Sequence, residues 1–211
     1  MTEERFDIFD AEMNPIGQAT RSETHKKGYW HLSFHCWLTR REGDRRYVRF
    51  QLRQQSKDTN PGCYDITAAG HLAAGETVRD GVRELEEELG VAAPFESLVP
   101  LFQWREDASG SVKGVPFIDR ELSYVFGLVC DTPMNEMRLQ LDEVAGLYEA
   151  DLSAMLELFE GKRPSVEAWG VRPDIDGLSV PAEPASVQVS HFVPRDSAYY
   201  ARVLRLLRGL T

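Results

Sequence analysis

Cysteine is scarce in this chain, acidic residues outnumber basic ones, and no apolar run is long enough to cross a bilayer. The three cysteines, Cys36, Cys63 and Cys130, are odd in number, widely spaced and free of any CxxC pair. That pattern argues against a disulfide framework or a cysteine zinc site and fits a reducing cytosol. Residues 1–15 hold no apolar segment of the signal-peptide kind. Lys and Arg total 24 against 34 Asp and Glu, a net charge of −10 at pH 7. Phosphate backbones select basic surfaces, so nucleic acid is not an expected partner. Internal repeats, low-complexity tracts and linkers are missing as well. These absences point to a soluble, cytoplasmic protein without a membrane partner. A single domain spanning residues 1–211 is the economical organisation, with a core over about 5–160 and a C-terminal extension over about 161–211. A homodimer through the amino-terminal strands is the assembly we expect.

What the chain does have is concentrated in one segment. Gly70-His-Leu-Ala-Ala-Gly-Glu76 reads as a loop, and Arg83-Glu-Leu-Glu-Glu-Glu-Leu-Gly-Val91 as the helix that follows it. Val78, Val82, Leu85 and Leu89 recur at spacings of four, three and four, the buried stripe of an amphipathic helix. Thr77 with Asp80 suits its start, and Gly90 a left-handed stop. Glu84, Glu87 and Glu88 then fall at i, i+3 and i+4, so their side chains converge on the last turns. Glutamate-rich runs are ordinarily solvated helix faces. Here, however, acids near a helix C-terminus oppose the macrodipole at about 0.3–1 kcal/mol each, and their mutual repulsion adds to that. A hard divalent cation would remove the conflict.

The remaining elements are read from patterning. Phe6 to Phe9 and Gly17 to Arg21 suit a hairpin, and Trp30 to Thr39 and Tyr47 to Arg53 a second strand pair. Pro61-Gly62 marks a turn before a short strand over Tyr64 to Thr67. Leu98 to Trp104 and Glu121 to Val129 read as strands, with a Gly/Ser loop over Ala108 to Lys113 between them. Val144 to Tyr148 suits one more strand. Asp151 to Glu160 has helical spacing, with Ser153 able to help start it. Arg163 to Ser190 holds four prolines and reads mostly as loop. Asp196 to Leu210 closes the chain as a helix with Ala201, Val203, Leu204 and Leu207 inward.

The glycine loop, cap, stripe and glutamates together resemble the Nudix box. Gly70, five residues and Glu76 fit it, and Arg83 through Val91 fit at every specified position. Six residues separate Glu76 from Arg83 where the family has seven. If Glu76 were helical, the missing residue would turn it by about 100° relative to the other glutamates. The resemblance implies an α/β fold, the Nudix α/β/α sandwich with a mixed sheet and here a C-terminal helical extension. It also implies Mg²⁺ or Mn²⁺ as cofactor, a small-molecule diphosphate as substrate, and hydrolysis of the diphosphate bond. Glu84, Glu87 and Glu88 would hold the metal, with the carbonyl of Ala69 as a further ligand. Glu84 or Glu87 would act as base, and Arg83 would orient a glutamate by a two-pronged pair.

A second constellation resembles isopentenyl diphosphate isomerase, which is built on the same fold. Arg53, Lys57, Pro61-Gly62, His71 and the pair Asp119 and Glu121 match its pattern, and His25 and His31 fall in the region that supplies two more histidines. The resemblance implies that Arg53 and Lys57 hold the diphosphate. It makes His71 and Glu121 metal ligands, with His25, His31 and Asp119 beside the substrate. Taken as residues alone, His25 reads as a surface-loop residue unless it turns inward, and His31 equally as a satisfied core histidine. The isomerase's essential cysteine falls at Ala69, which can neither give nor take a proton. A hydrolase is therefore expected, with an isomerase-like enzyme or a catalytically idle ligand sensor as the alternatives.

Overall fold

The computed structural model describes residues 3–112 and 114–210. It opens with the expected hairpin, β1 (Arg5–Phe9) and β2 (Pro15–Thr20), whose turn is held by the Asp10 carboxylate accepting from the N–H groups of Glu12 and Asn14. A short helix, α1 (Arg21–Lys27), follows; it was not expected from the sequence. The Thr20 hydroxyl accepts from the Glu23 N–H at 3.3 Å, and Gly28 ends the helix at φ 66°, where a side chain would be strained.

The axis of the sheet is β3 (Trp30–Glu42), which turns through Gly43 into β4 (Arg45–Arg53). The two-residue strand β5 (Tyr64–Asp65) pairs with β4. Gly70 and His71, expected at the start of the loop, belong to strand β6 (Ala68–His71), antiparallel to β3 with His71 opposite Ser33 and Ala69 opposite His35. The box helix, α2 (Arg83–Leu89), is entered through a single 3₁₀ turn and stopped by Gly90 at φ 68°. Next come β7 (Val99–Val112) and β8 (Val115–Val129), one long hairpin. The Gly/Ser loop expected over Ala108 to Lys113 is thus strand up to Val112, and Lys113 lies outside the described residues. Gly110 stands opposite Phe117, and a Cβ there would meet the ring at 2.9 Å, so the glycine makes room within a strand. Strand β8 runs parallel to β3 from Trp30–Arg120 to Thr39–Val129, and this parallel pairing makes the sheet mixed.

The next strand, β9 (Val144–Asp151), pairs with β4 and leads into α3 (Leu152–Phe159). The cap of α3 is Asp151, whose carboxylate accepts from the Ala154 N–H at 2.8 Å, and not Ser153. The stretch expected as loop over Arg163 to Ser190 contains three strands, β10 (Val166–Pro173), β11 (Ser179–Pro181) and β12 (Ala185–Val187). Its prolines sit at or beyond strand ends, where no ladder N–H is needed, and β10 extends the sheet from β9. The last helix, α4 (Ser197–Leu207), is capped by Asp196 and buries Ala201, Val203, Leu204 and Leu207 as expected, with Tyr199 and Tyr200 added.

Alternation along β3 divides the core. Phe34, Cys36 and Leu38 pack with Leu85 and Leu89 of α2, while Trp37 packs with α3 and α4 on the opposite face. The sheet is therefore covered on both sides, an α/β/α sandwich. Leu85 is fully buried and Glu86, next to it, exposed. Leu85→Ala should lower unfolding stability by about 2–5 kcal/mol, through lost contacts and the cavity left behind, against less than about 0.5 for Glu86→Ala. Denaturant titration of both variants checks this.

Candidate active site

On the α2 side the organising group is the Arg83 guanidinium. Its Nε and Nη2 hold Glu76 in a two-pronged pair at 2.9 and 3.1 Å, and Nη1 donates to Glu84 at 2.6 Å and to Glu87 at 3.0 Å. Nη2 also reaches the carbonyl of His71 at 3.2 Å. Glu76 precedes the helix and accepts from the Ala73 N–H at 2.7 Å, so the short spacing is absorbed in the turn and causes no rotation about the helix axis. Glu84 lies directly against Gly70, where a Cβ would sit 2.1 Å from its carboxylate. Glu88 turns inward instead and accepts from the Ala69 N–H at 3.2 Å and the Gln51 amide at 3.4 Å. The three glutamates are thus held by different donors: Glu84 and Glu87 share Arg83, and Glu88 is fixed from the strand side. Burial raises the Glu84 carboxyl against the opposing charge of Arg83. Burial, with Glu84 beside it, raises Glu88 well above the usual carboxylate range. Both carboxylates would be relieved by a cation.

On the opposite face the register of the sheet assembles a second set. His31 stands beside Glu121, and Ser33 stands between His71 and Ser123. Asp119 lies two residues before Glu121 on the same face, and α1 swings His25 in over β8 to 3.3 Å from Asp119. The imidazole of His25 is therefore turned inward on a helix and is not part of a surface loop. Ligand atoms of His25, His31, His71 and Asp119 all lie within 4.8 Å of one another. Glu121 accepts from His71 Nε2 at 3.1 Å and from the Ser33 hydroxyl at 2.8 Å, and stands 3.9 Å from His31. His31 Nε2 and Asp119 Oδ1 are buried 3.6 Å apart, and neither makes a hydrogen bond among the described residues. His31 is thus not a satisfied core histidine. Donors of a tetrahedral ion held at about 2.1 Å stand about 3.4 Å apart, so the set would close in around a bound ion. Three imidazoles with carboxylates suit a transition ion such as Mn²⁺ better than Mg²⁺. Burial, with His71 adding to it, lowers His31 to about 4 and keeps it a neutral, ligand-ready imidazole. At His71 burial opposes the charge, but the hydrogen bond and charge of Glu121 outweigh it and the net direction is up.

Arg53 and Lys57 are placed at the margin of these sets. Arg53 donates to Asp65 at 3.1 Å and to the Thr59 carbonyl at 3.0 Å, and Lys57 pairs with Glu143. Sequence reasoning missed Asp65, Glu106 and Arg195, which meet next to the histidines. Glu106 stands opposite Glu121 in the hairpin, and burial, against the opposing charge of Arg195, pushes its carboxyl up to about 7. Only the hairpin register could have paired it with Glu121, and nothing in the sequence marks Arg195.

Comparison with known proteins agrees with this architecture. The model of the NUDIX domain matches residues 29–168, and the chain belongs to the Nudix hydrolase family. An uncharacterized Nudix hydrolase of Clostridium acetobutylicum is 37% identical over 207 residues, 98% of each chain. An isopentenyl-diphosphate Δ-isomerase of Kocuria rhizophila is 32% identical over 160 residues, 74% of this chain and 84% of its own. A crystal structure of a Deinococcus radiodurans protein superposes with a TM-score of 0.53 at 20% identity, over 75% of this chain and 90% of that one, a likeness of fold. No described helix is long and apolar enough to cross a membrane.

Two outcomes follow from the geometry. Mn²⁺ at about a hundredfold excess over its dissociation constant should stabilise the protein by about 2.7 kcal/mol in thermal unfolding, and His71→Ala should remove most of that gain. Gly70→Ala should still fold, because the atom in its way ends a flexible side chain, but it should displace Glu84. Calorimetry should then find divalent-ion binding weakened about tenfold.

Proposed function

We propose that the protein is a metal-dependent hydrolase of the diphosphate bond in a small molecule, nucleotide-derived or organic. The observation that carries this reading is the junction at β6. Gly70 receives Glu84 from the box helix, and the next residue, His71, belongs to the histidine set, so two groups of ion-binding side chains meet at one strand end. A divalent ion, when bound, supplies positive charge for phosphate oxygens and makes water more acidic. Glu84, Glu87 and Glu88 would hold one ion, with the Ala69 backbone beside them, and His25, His31, His71, Asp119 and Glu121 a second. Glu87 is more exposed than Glu84 and Glu88, its side chain 54% accessible, and is the base we assign. It takes the proton of the attacking water while the new P–O bond forms and the bridging P–O bond breaks, and the leaving phosphate departs as the oxyanion. Arg83 holds Glu84 and Glu87 in place, and Arg53 and Lys57 offer positive charge to the phosphate that does not react.

The histidine and acid set also supports a second reading, an isomerase-like enzyme, because several relatives carry that name. Against it stands Ala69, opposite His35 on β6, a methyl group where two-sided proton transfer needs an acid. Release of phosphate or phosphomonoester from a panel of nucleotide, prenyl and cofactor diphosphates with Mg²⁺ or Mn²⁺ tests the proposal. We expect release that a chelator abolishes and that Glu87→Gln lowers by about 10²–10⁴-fold. Isomerised product without phosphate release would move the assignment to the isomerase. Binding without turnover would move it to a ligand sensor.

A further inference from the structure

Arg195 enters the site from the segment before α4, beyond the residues that match the family model. The Val193 N–H donates to the Tyr64 carbonyl at 2.9 Å, which brings Arg195 beside Asp65. There one carboxylate, 3% exposed, serves two guanidinium groups. Asp65 Oδ1 accepts from Arg195 Nη1 at 2.5 Å and from the Ile66 N–H at 2.8 Å, and Oδ2 accepts from Arg53 Nη1 at 3.1 Å. Arg195 also donates to the Tyr200 hydroxyl at 3.2 Å, and its Nε stands 3.6 Å from Glu106. Arg53 Nη2 is held by the carbonyl of Thr59, and its Nε is buried without a hydrogen-bond partner among the described residues.

We propose that Arg195 is a positioning residue for anion capture by Arg53: by occupying Oδ1 of Asp65 it limits that carboxylate to a single contact with Arg53 and leaves an Arg53 donor for a phosphate oxygen. The argument is one of competition for a buried acceptor. Without Arg195, Asp65 keeps its charge, its Oδ1 keeps only the Ile66 N–H, and a two-pronged pair with Arg53 becomes the best way to satisfy the lone pair set free. Such a pair would engage both terminal nitrogens of Arg53, turn Nη2 away from Thr59, and leave that edge of the guanidinium without a donor for a phosphate oxygen. The C-terminal segment thus keeps a basic residue of the sheet available, without touching the ligand itself. This inference rests on the diphosphate reading above.

The test uses the full-length protein with Mn²⁺ and methylenediphosphonate, a diphosphate that cannot be hydrolysed, in titration calorimetry. Arg195→Gln should weaken binding about tenfold, the loss of one charge-assisted hydrogen bond at Arg53. Arg195→Lys, which keeps one donor and the charge, should fold like the wild type and recover part of the affinity. With a turned-over substrate, KM should rise while kcat stays within about threefold. Unchanged affinity in Arg195→Lys and in any folded Arg195→Gln, even with a lowered melting temperature, would make Arg195 a structural strut only and overturn the proposal. Failure of the wild type to bind the probe would instead overturn the diphosphate reading on which it stands.

Discussion

Strand β3 is buried on both faces, and the rest of the molecule follows from that constraint. Successive side chains of a strand point to opposite faces, so its residues must serve two cores at once. Phe34, Cys36 and Leu38 meet the box helix, and Trp37 meets α3 and α4. The same alternation puts His31, Ser33 and His35 on the face away from the box helix, in register with Glu121 and Ser123 of β8 and with His71 and Ala69 of β6. A one-residue slip would exchange apolar and polar rows, so the buried faces lock the register that assembles the site.

Charge is handled differently on the two faces. Around α2 a single guanidinium compensates three carboxylates, Glu76, Glu84 and Glu87, which relieves part of the repulsion that a glutamate-rich helix end creates. Glu88 lies outside that compensation and is held by the backbone N–H of Ala69 and the amide of Gln51. On the other face the unmet groups are of both kinds, His31 Nε2 and Asp119 Oδ1, buried and without hydrogen bonds among the described residues. Unpaired buried polar groups are costly, and they persist where the arrangement serves a bound group. Asp65 joins this face to the C-terminal segment through two arginines, so residues far apart in the chain share one electrostatic unit.

Much of the fold was legible where periodicity was strong and unbroken. Leu85 and Leu89, the stop at Gly90 and the inward face of α4 are local patterns and were read correctly, whereas Val78 and Val82, expected on the same helix, pack against that core from the turn before it. Elements went unread where local signals conflicted. Prolines in residues 163–190 suggested loop and masked the alternation Val166, Ala168 along β10. Gly110 and its neighbouring serines suggested a loop because a strand interior seldom carries such residues, and only the Phe117 ring opposite explains them. Helix α1 is too short for a hydrophobic stripe, although Thr20 with Glu23 was a usable capping signal.

The sequence by itself determined the box helix, its buried stripe, the clustering of acids at its end and the family to which they belong. Those features lie within a few turns of one chain segment, where spacing alone dictates geometry. Tertiary structure decided which acids share Arg83, that Glu76 pairs from outside the helix, that His25 turns inward, and that Arg195 reaches Asp65. Each of these depends on strand register or on a distant segment folding back. Sequence spacing carries no information about groups brought together across a sheet, because the chain between them fixes neither their distance nor their face.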